Sequence, residues 1–195
     1  MWYSVTPECI AEHTAERFSG NTIVLDAFAG AGGNAIQFAL RDDIGFVLGV
    51  ELDFSRAQHC QHNARVYNAH KRMDVICADS LTLMRSMRRV VDAVFLSPPW
   101  GGPKYKTLIP FPLDSMKPDG FETFLASSRL TTNIAYYLPI QTDVMHLHRL
   151  LQMVRDKSQS CEIEFNCVDG RPLTITVFFG SLISGSHKME MLKVN

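Results

Sequence analysis

Short apolar runs alternate with helix-spaced stretches along this chain. Thr22–Ala27, Gly45–Leu52, Met73–Cys77, Val91–Leu96 and Ile134–Leu138 are short and mostly apolar, the pattern of strands covered on both faces. Between and around them, apolar positions three and four apart predict helices over Glu8–Phe18, Asn34–Arg41, Ser55–Tyr67, Leu81–Arg88, Phe121–Arg129 and Asp143–Arg155. Thr6-Pro7-Glu8 reads as a helix start with Thr6 at the cap and Pro7 in the first turn, and Ser55 reads as the cap of a later helix. Two more strands, Cys161–Asn166 and Leu173–Phe179, flank the turn Val168-Asp169-Gly170-Arg171. Strand–helix alternation closed by a hairpin predicts an α/β fold, a doubly wound, mostly parallel seven-stranded sheet with a C-terminal antiparallel hairpin. The proline-rich stretch 101–119 has little periodicity and reads as a long substrate loop.

Composition narrows the function. At 195 residues and 46% hydrophobic, the chain suits one domain over 1–195, with an N-terminal helical segment over 1–20. Nineteen basic and twenty acidic residues give a net charge of −1, unlike a protein that grips a long run of phosphates. A nucleic-acid substrate is therefore expected to be held at one nucleotide or one end. No apolar stretch reaches the roughly twenty residues of a membrane span, and Met1–Thr6 lacks the basic start and apolar core of a signal peptide. The odd count of five cysteines, without CxxC spacing, predicts free thiols in a reducing compartment.

The candidate chemistry sits at strand ends. Ser97-Pro98-Pro99-Trp100-Gly101-Gly102-Pro103 follows the apolar run to Leu96. A polar side chain and nearby carbonyls can accept from an exocyclic amine, the prolines fix the turn, and the aromatic ring stacks on a flat base. Ser97, Pro98 and Trp100 are thus the predicted catalytic wall. Upstream stands Asp26-Ala27-Phe28-Ala29-Gly30-Ala31-Gly32-Gly33-Asn34, where glycines let the backbone approach a ligand. Glu51, about twenty residues on at the next strand end, can take ribose hydroxyls. The turn lacks GxGxxG spacing, which favours S-adenosylmethionine over a dinucleotide, since the former has no pyrophosphate to cradle. Asp79 is placed either to accept from an adenine amino group or to cap the following helix. The predicted cofactor residues are Asp26, Phe28, Gly30, Gly32, Asn34, Glu51, Asp79 and Ser97. His59, Cys60 and His62, and His146 with His148, lack a further ligand at metal spacing; they read as surface or packing residues, and no metal is expected.

These residues carry a resemblance. Asp26–Asn34 with Ile36-Gln37-Phe38-Ala39, Ser97–Pro103, Pro118-Asp119-Gly120-Phe121-Glu122, Tyr136-Tyr137-Leu138-Pro139 and the opening Trp2-Tyr3-Ser4-Val5-Thr6-Pro7-Glu8 are similar to the trimethylguanosine synthase family. The similarity runs from about residue 2 to residue 183. It implies a class I (Rossmann-like) methyltransferase fold, S-adenosylmethionine as methyl donor, and the exocyclic N2 amine of a 7-methylguanosine RNA cap as acceptor. The products would be 2,7-dimethyl- and 2,2,7-trimethylguanosine; capped RNA of the small nuclear and nucleolar type would be the partner, and the nucleus is favoured over the cytoplasm. A monomer is expected, with no membrane. An N7-methylated guanine is cationic, and the Trp100 indole would favour it over neutral guanine by roughly 1–2 kcal/mol once desolvated. Where the family tends to read Leu-Pro-Arg-Asn, this chain reads Leu138-Pro139-Ile140-Gln141, so Lys104, Lys106 or Arg129 would have to meet the cap triphosphate. Two other readings stay open: a methyltransferase acting on guanine or adenine of tRNA or rRNA, and a non-catalytic cap-binding module.

Overall fold

The computed structural model describes residues 5–88, 90–153 and 160–185. The stretch Trp2–Ser4, Arg89 and the end of the helix expected to reach Arg155 lie outside them. The described strands are β1 (Ile23–Asp26), β2 (Phe46–Glu51), β3 (Met73–Cys77), β4 (Ala93–Leu96), β5 (Ile134–Pro139), β6 (Cys161–Val168) and β7 (Arg171–Phe179). They form one sheet in the order β3-β2-β1-β4-β5-β7-β6. Pairing is parallel from β3 through to β5, while β7 runs antiparallel to both β5 and β6. The β6–β7 hairpin turns through Asp169 and Gly170, whose φ values of 51° and 72° are those of a two-residue type I′ turn.

The helices are α1 (Glu8–Glu16), α2 (Gly33–Leu40), α3 (Phe54–Val66), α4 (Ser80–Ser86), α5 (Gly120–Ser128) and α6 (Val144–Met153). In contact terms, α1 packs on α2, and α2 and α3 on β2 and β3; α5 packs on α4, α6 and β4. β4 and β5 have every residue buried, as covered parallel strands require. Phe18, Phe38 and Phe95 form a T-shaped and tilted aromatic group that joins the turn after α1, α2 and the sheet centre. None of the described helices is long and apolar enough to cross a membrane.

Two caps differ from the sequence reading. Pro7, not Thr6, stands at the N-cap of α1 and makes no side-chain cap bond; the Thr6 hydroxyl instead accepts from Asn34 Nδ2 at 3.0 Å. The cap of α3 is Asp53, two residues before Ser55, and its carboxylate accepts from the Arg56 amide at 2.9 Å. The 101–119 stretch is built from two 3-10 turns, Gly102–Thr107 and Leu113–Ser115. It is tied down by a Phe111–Thr142 bridge and by Gln141 Nε2, which donates to the Tyr105 carbonyl at 3.1 Å.

Candidate active site

The strand order reverses between β1 and β4, and a sheet of this kind opens a crevice at the carboxyl ends of the strands there. A cleft of about 860 Å³ lies at that point. Its walls include Phe28–Ala31, Gly33 and Asn34 after β1, Glu51 and Leu52 at the end of β2, Asp79 and Ser80 after β3, and Ser97 and Pro99 after β4. The two motifs that the sequence separates by about seventy residues are neighbours because β1 and β4 pair, Asp26 opposite Phe95. Ser97 Oγ then comes within 3.5 Å of the Phe28 carbonyl.

The glycine turn is held from several sides. The Gly30 amide donates to Glu51 Oε2 at 3.0 Å, and Asn63 Nδ2 donates to the Ala31 carbonyl at 2.9 Å. Gly30 and Gly32 have φ of 56° and 99°, the left-handed region that glycine enters without a Cβ clash. Asn34 lines the cleft with its Oδ1 buried and unpartnered. Asp79 takes the capping role and stands at the cleft. It caps α4 by accepting from Thr82, which holds its carboxyl below the usual range, and it also lines the cleft.

Asp26 and Gly32 stand behind the cleft wall rather than in it. Gly32 packs on Cys60 and Ile36. Asp26 is fully buried; Oδ1 accepts from the Phe28 amide at 3.1 Å and Oδ2 has no partner. Burial pushes its pKa up to about 7, against the pull of the Phe28 hydrogen bond, and the nearby Glu51 adds to the rise. Because the folded protein holds this proton to a higher pH than the unfolded chain, stability falls as pH climbs from about 4 to 7. A rise of that size corresponds to about 4 kcal/mol. The melting temperature of the wild type is therefore expected to drop between pH 5 and pH 8, and Asp26→Asn to narrow that drop in calorimetry. An unchanged drop would mean that Asp26 does not hold its proton.

Trp100 differs most from expectation. Only 4% exposed, it stacks on Tyr137 with ring centroids 5.4 Å apart and meets Tyr105 edge-on at 5.1 Å. Its indole Nε1 is buried without a partner, a state costing about 1–3 kcal/mol. Pro98 is buried beside it. Lys104 and Lys106 are exposed on the Gly102–Thr107 turn, at the same edge of the sheet as the cleft but outside its lining. Arg129 is the C-cap of α5, outside the cleft lining, and two residues on the Thr131 hydroxyl donates to the Asp92 carbonyl just before β4 begins.

The sequence reading missed part of the wall: Val5–Glu8 lines the cleft, as do Ser55, Arg56, His59 and Tyr67 along α3. Asn63 lines it too, and Lys117 and Pro118 bring in the end of the expected 101–119 loop. Polar residues three and four apart, from Ser55 to Tyr67, were the available signal. The Tyr137 hydroxyl hydrogen-bonds Thr6 and Thr174, which offsets in part the rise that burial imposes on its pKa. His146 Nδ1 accepts from the Leu113 amide at 3.1 Å and its ring packs on Phe121. Among the described residues no group of three or more His, Cys, Asp or Glu side chains could hold a metal ion.

The profile of a family described as RNA cap guanine-N2 methyltransferase matches residues 21–182. A trimethylguanosine synthase of Schizosaccharomyces pombe is 36% identical over 154 residues, covering 75% of this chain and 63% of that protein. The trimethylguanosine synthase of Saccharomyces cerevisiae is 31% identical over 172 residues, covering 84% and 54%. The chain thus matches less than two thirds of either relative's length. Among solved structures, the N-terminal domain of EvdMO1 with SAH bound superposes with a TM-score of 0.62 at 15% identity, covering 91% of this chain and 82% of that one. An rRNA methylase from Streptococcus thermophilus gives 0.57 at 14% identity, covering 88% and 93%. At such identities these two show the fold, a Rossmann-like methyltransferase.

Proposed function

The chain belongs to the RNA cap guanine-N2 methyltransferase family, and on that premise we propose that it transfers a methyl group from S-adenosylmethionine to the exocyclic N2 amine of a 7-methylguanosine RNA cap. The observation that carries this reading is the meeting in one cleft of Ser97 and Pro99 with the glycine turn, Glu51 and Asp79.

The cleft fits an adenosyl cofactor. Nothing stands within 4 Å of where a Cβ on Gly30 would be, Asn34 Oδ1 is buried without a donor, and two carboxylates end or follow β2 and β3. Glu51 would hold the ribose and Asp79 the adenine amino group, with the Phe28–Asn34 turn against the rest. When bound, S-adenosylmethionine supplies an electrophilic sulfonium methyl. The protein's own part is alignment and exclusion of water, since displacement at such a methyl needs no covalent nucleophile. The Ser97 hydroxyl and Pro98 carbonyl accept from the guanine N2 hydrogens and aim the delocalised lone pair.

Trp100 supplies the face for the cationic base. With Tyr137 and Tyr105 both packed on it, a base reaches that face only when the Gly102–Thr107 turn moves aside. Gly101 and Gly102, at φ 90° and 71° with open space around them, form the pivot. Lys104 and Lys106 ride on the same segment and serve the cap triphosphate in place of the arginine missing at Ile140. Small nuclear and nucleolar type capped RNA as substrate, and the nucleus as its place, rest on the family resemblance.

Labelled methyl transfer to 7-methylguanosine triphosphate, run beside unmodified GTP, tests the reading. Transfer to the methylated nucleotide alone is expected, and mass spectrometry of the product counts the methyls. Equal transfer to GTP would overturn the N7 requirement. Transfer to neither nucleotide, but to folded RNA, would favour a base-amine methyltransferase of tRNA or rRNA.

A further inference from the structure

Glu51 ends β2 with 7% of its surface exposed, and the chain itself supplies nearly all the donors it can accept. Oε1 accepts from the Asp53 amide at 2.8 Å, Arg56 Nε at 2.9 Å and Arg56 Nη2 at 2.6 Å. Oε2 accepts from the Gly30 amide at 3.0 Å. A carboxylate offers about four acceptor sites, two on each oxygen. Oε1 is therefore saturated, and Oε2 keeps one site.

Arg56 is held in place by its own backbone. Its amide donates to the Asp53 side chain, whose own amide donates to Glu51, so the turn from Glu51 to Arg56 is interlocked. Both Arg56 and Glu51 line the cleft. The guanidinium also balances the charge of a carboxylate buried near Asp26. We propose that Arg56 is a positioning residue for cofactor binding, holding Glu51 Oε1 so that Oε2 alone takes a single ribose hydroxyl. This rests on the reading of Glu51 as the ribose carboxylate. The grip is one-pointed, unlike a fork on both hydroxyls, and it depends on a side chain five residues away.

Calorimetric binding of S-adenosylhomocysteine and its 2′-deoxy and 3′-deoxy analogues tests the proposal, with wild type, Arg56→Met and Arg56→Lys. Wild type is expected to lose about tenfold in affinity for one deoxy analogue and little for the other. Arg56→Met is expected to weaken S-adenosylhomocysteine about tenfold and to abolish that discrimination, while Arg56→Lys falls between. Equal penalties on all three ligands would make Arg56 merely structural and overturn the proposal. Tighter binding by Arg56→Met would make it a competitor for Glu51, which also overturns it. Wild type that binds S-adenosylhomocysteine but ignores both missing hydroxyls overturns the ribose role and leaves the methyltransferase reading standing. Wild type that binds none of the three overturns that reading, and the proposal with it.

Discussion

Replacing Trp100 by alanine is expected to lower methylation of 7-methylguanosine triphosphate about thirtyfold in kcat/KM while S-adenosylhomocysteine still binds within about threefold of wild type. The indole is the large aromatic face that closes the Ser97-Pro98-Pro99-Trp100 run, and its attraction for a desolvated cation is worth roughly 1–2 kcal/mol. Its buried stack on Tyr137 complicates the experiment. Truncating a tryptophan so enclosed costs about 3–5 kcal/mol of stability through lost packing and a cavity. A collapsed protein would lose activity for that reason alone. Cofactor binding is therefore the necessary control, because Trp100 lies outside the cofactor lining. Trp100→Phe separates the effects further: it keeps a ring on Tyr137, so most stability should remain, but the smaller π face should raise the cap KM about tenfold. A folded Trp100→Ala protein with a normal cap KM would sink the stacking role.

The sequence made the scaffold legible because its strands are covered on both faces. Continuous apolar runs such as Ala93–Leu96 and Ile134–Pro139 have no polar side to obscure their period, and every residue in them is buried. Site residues at strand ends were legible for a related reason. A doubly wound sheet places the residue after each parallel strand at one edge, so Ser97, Glu51 and Asp79 could be assigned together before any contact was known. The same logic sets Arg129 apart from them, because it follows a helix rather than a strand. Nothing in the apolar period marks Val5–Glu8 as a cleft wall, because that segment meets the site through tertiary bonds such as Asn34 to Thr6. Trp100 shows the converse limit. Its motif announces a stacking surface, yet which ring covers it depends on how 102–107 folds back, and that is set by Gln141, thirty-six residues from Tyr105.

Gly32→Ala is expected to lower the melting temperature by about 10 °C and to weaken cofactor binding, by two separable effects. The first is conformational. At φ 99°, Gly32 is the N-cap of α2, and a Cβ in the left-handed region costs about 1–2 kcal/mol. The second is space. An added Cβ would stand 2.9 Å from Cys60 Sγ and 3.0 Å from Ile36 Cδ1. Overpacking of this sort costs about 1–3 kcal/mol, and a chain of this size loses about 2–4 °C for each kcal/mol. Cys60 is fully buried, and burial pushes its thiol up to about 12, so it stays protonated and packs as a small apolar group. Gly32→Ala combined with Cys60→Ala should therefore recover the steric part and leave only the conformational one. Gly33→Ala is the control: that position has an ordinary φ and nothing within 4 Å of the added Cβ, so the melting temperature should stay within about 2 °C. The turn between Ala29 and Gly32, closed by the Gly32 amide donating to the Ala29 carbonyl at 2.8 Å, carries the displacement into the cleft. If the double variant melts no higher than Gly32→Ala alone, crowding against Cys60 is not the cause and the left-handed backbone accounts for the whole loss.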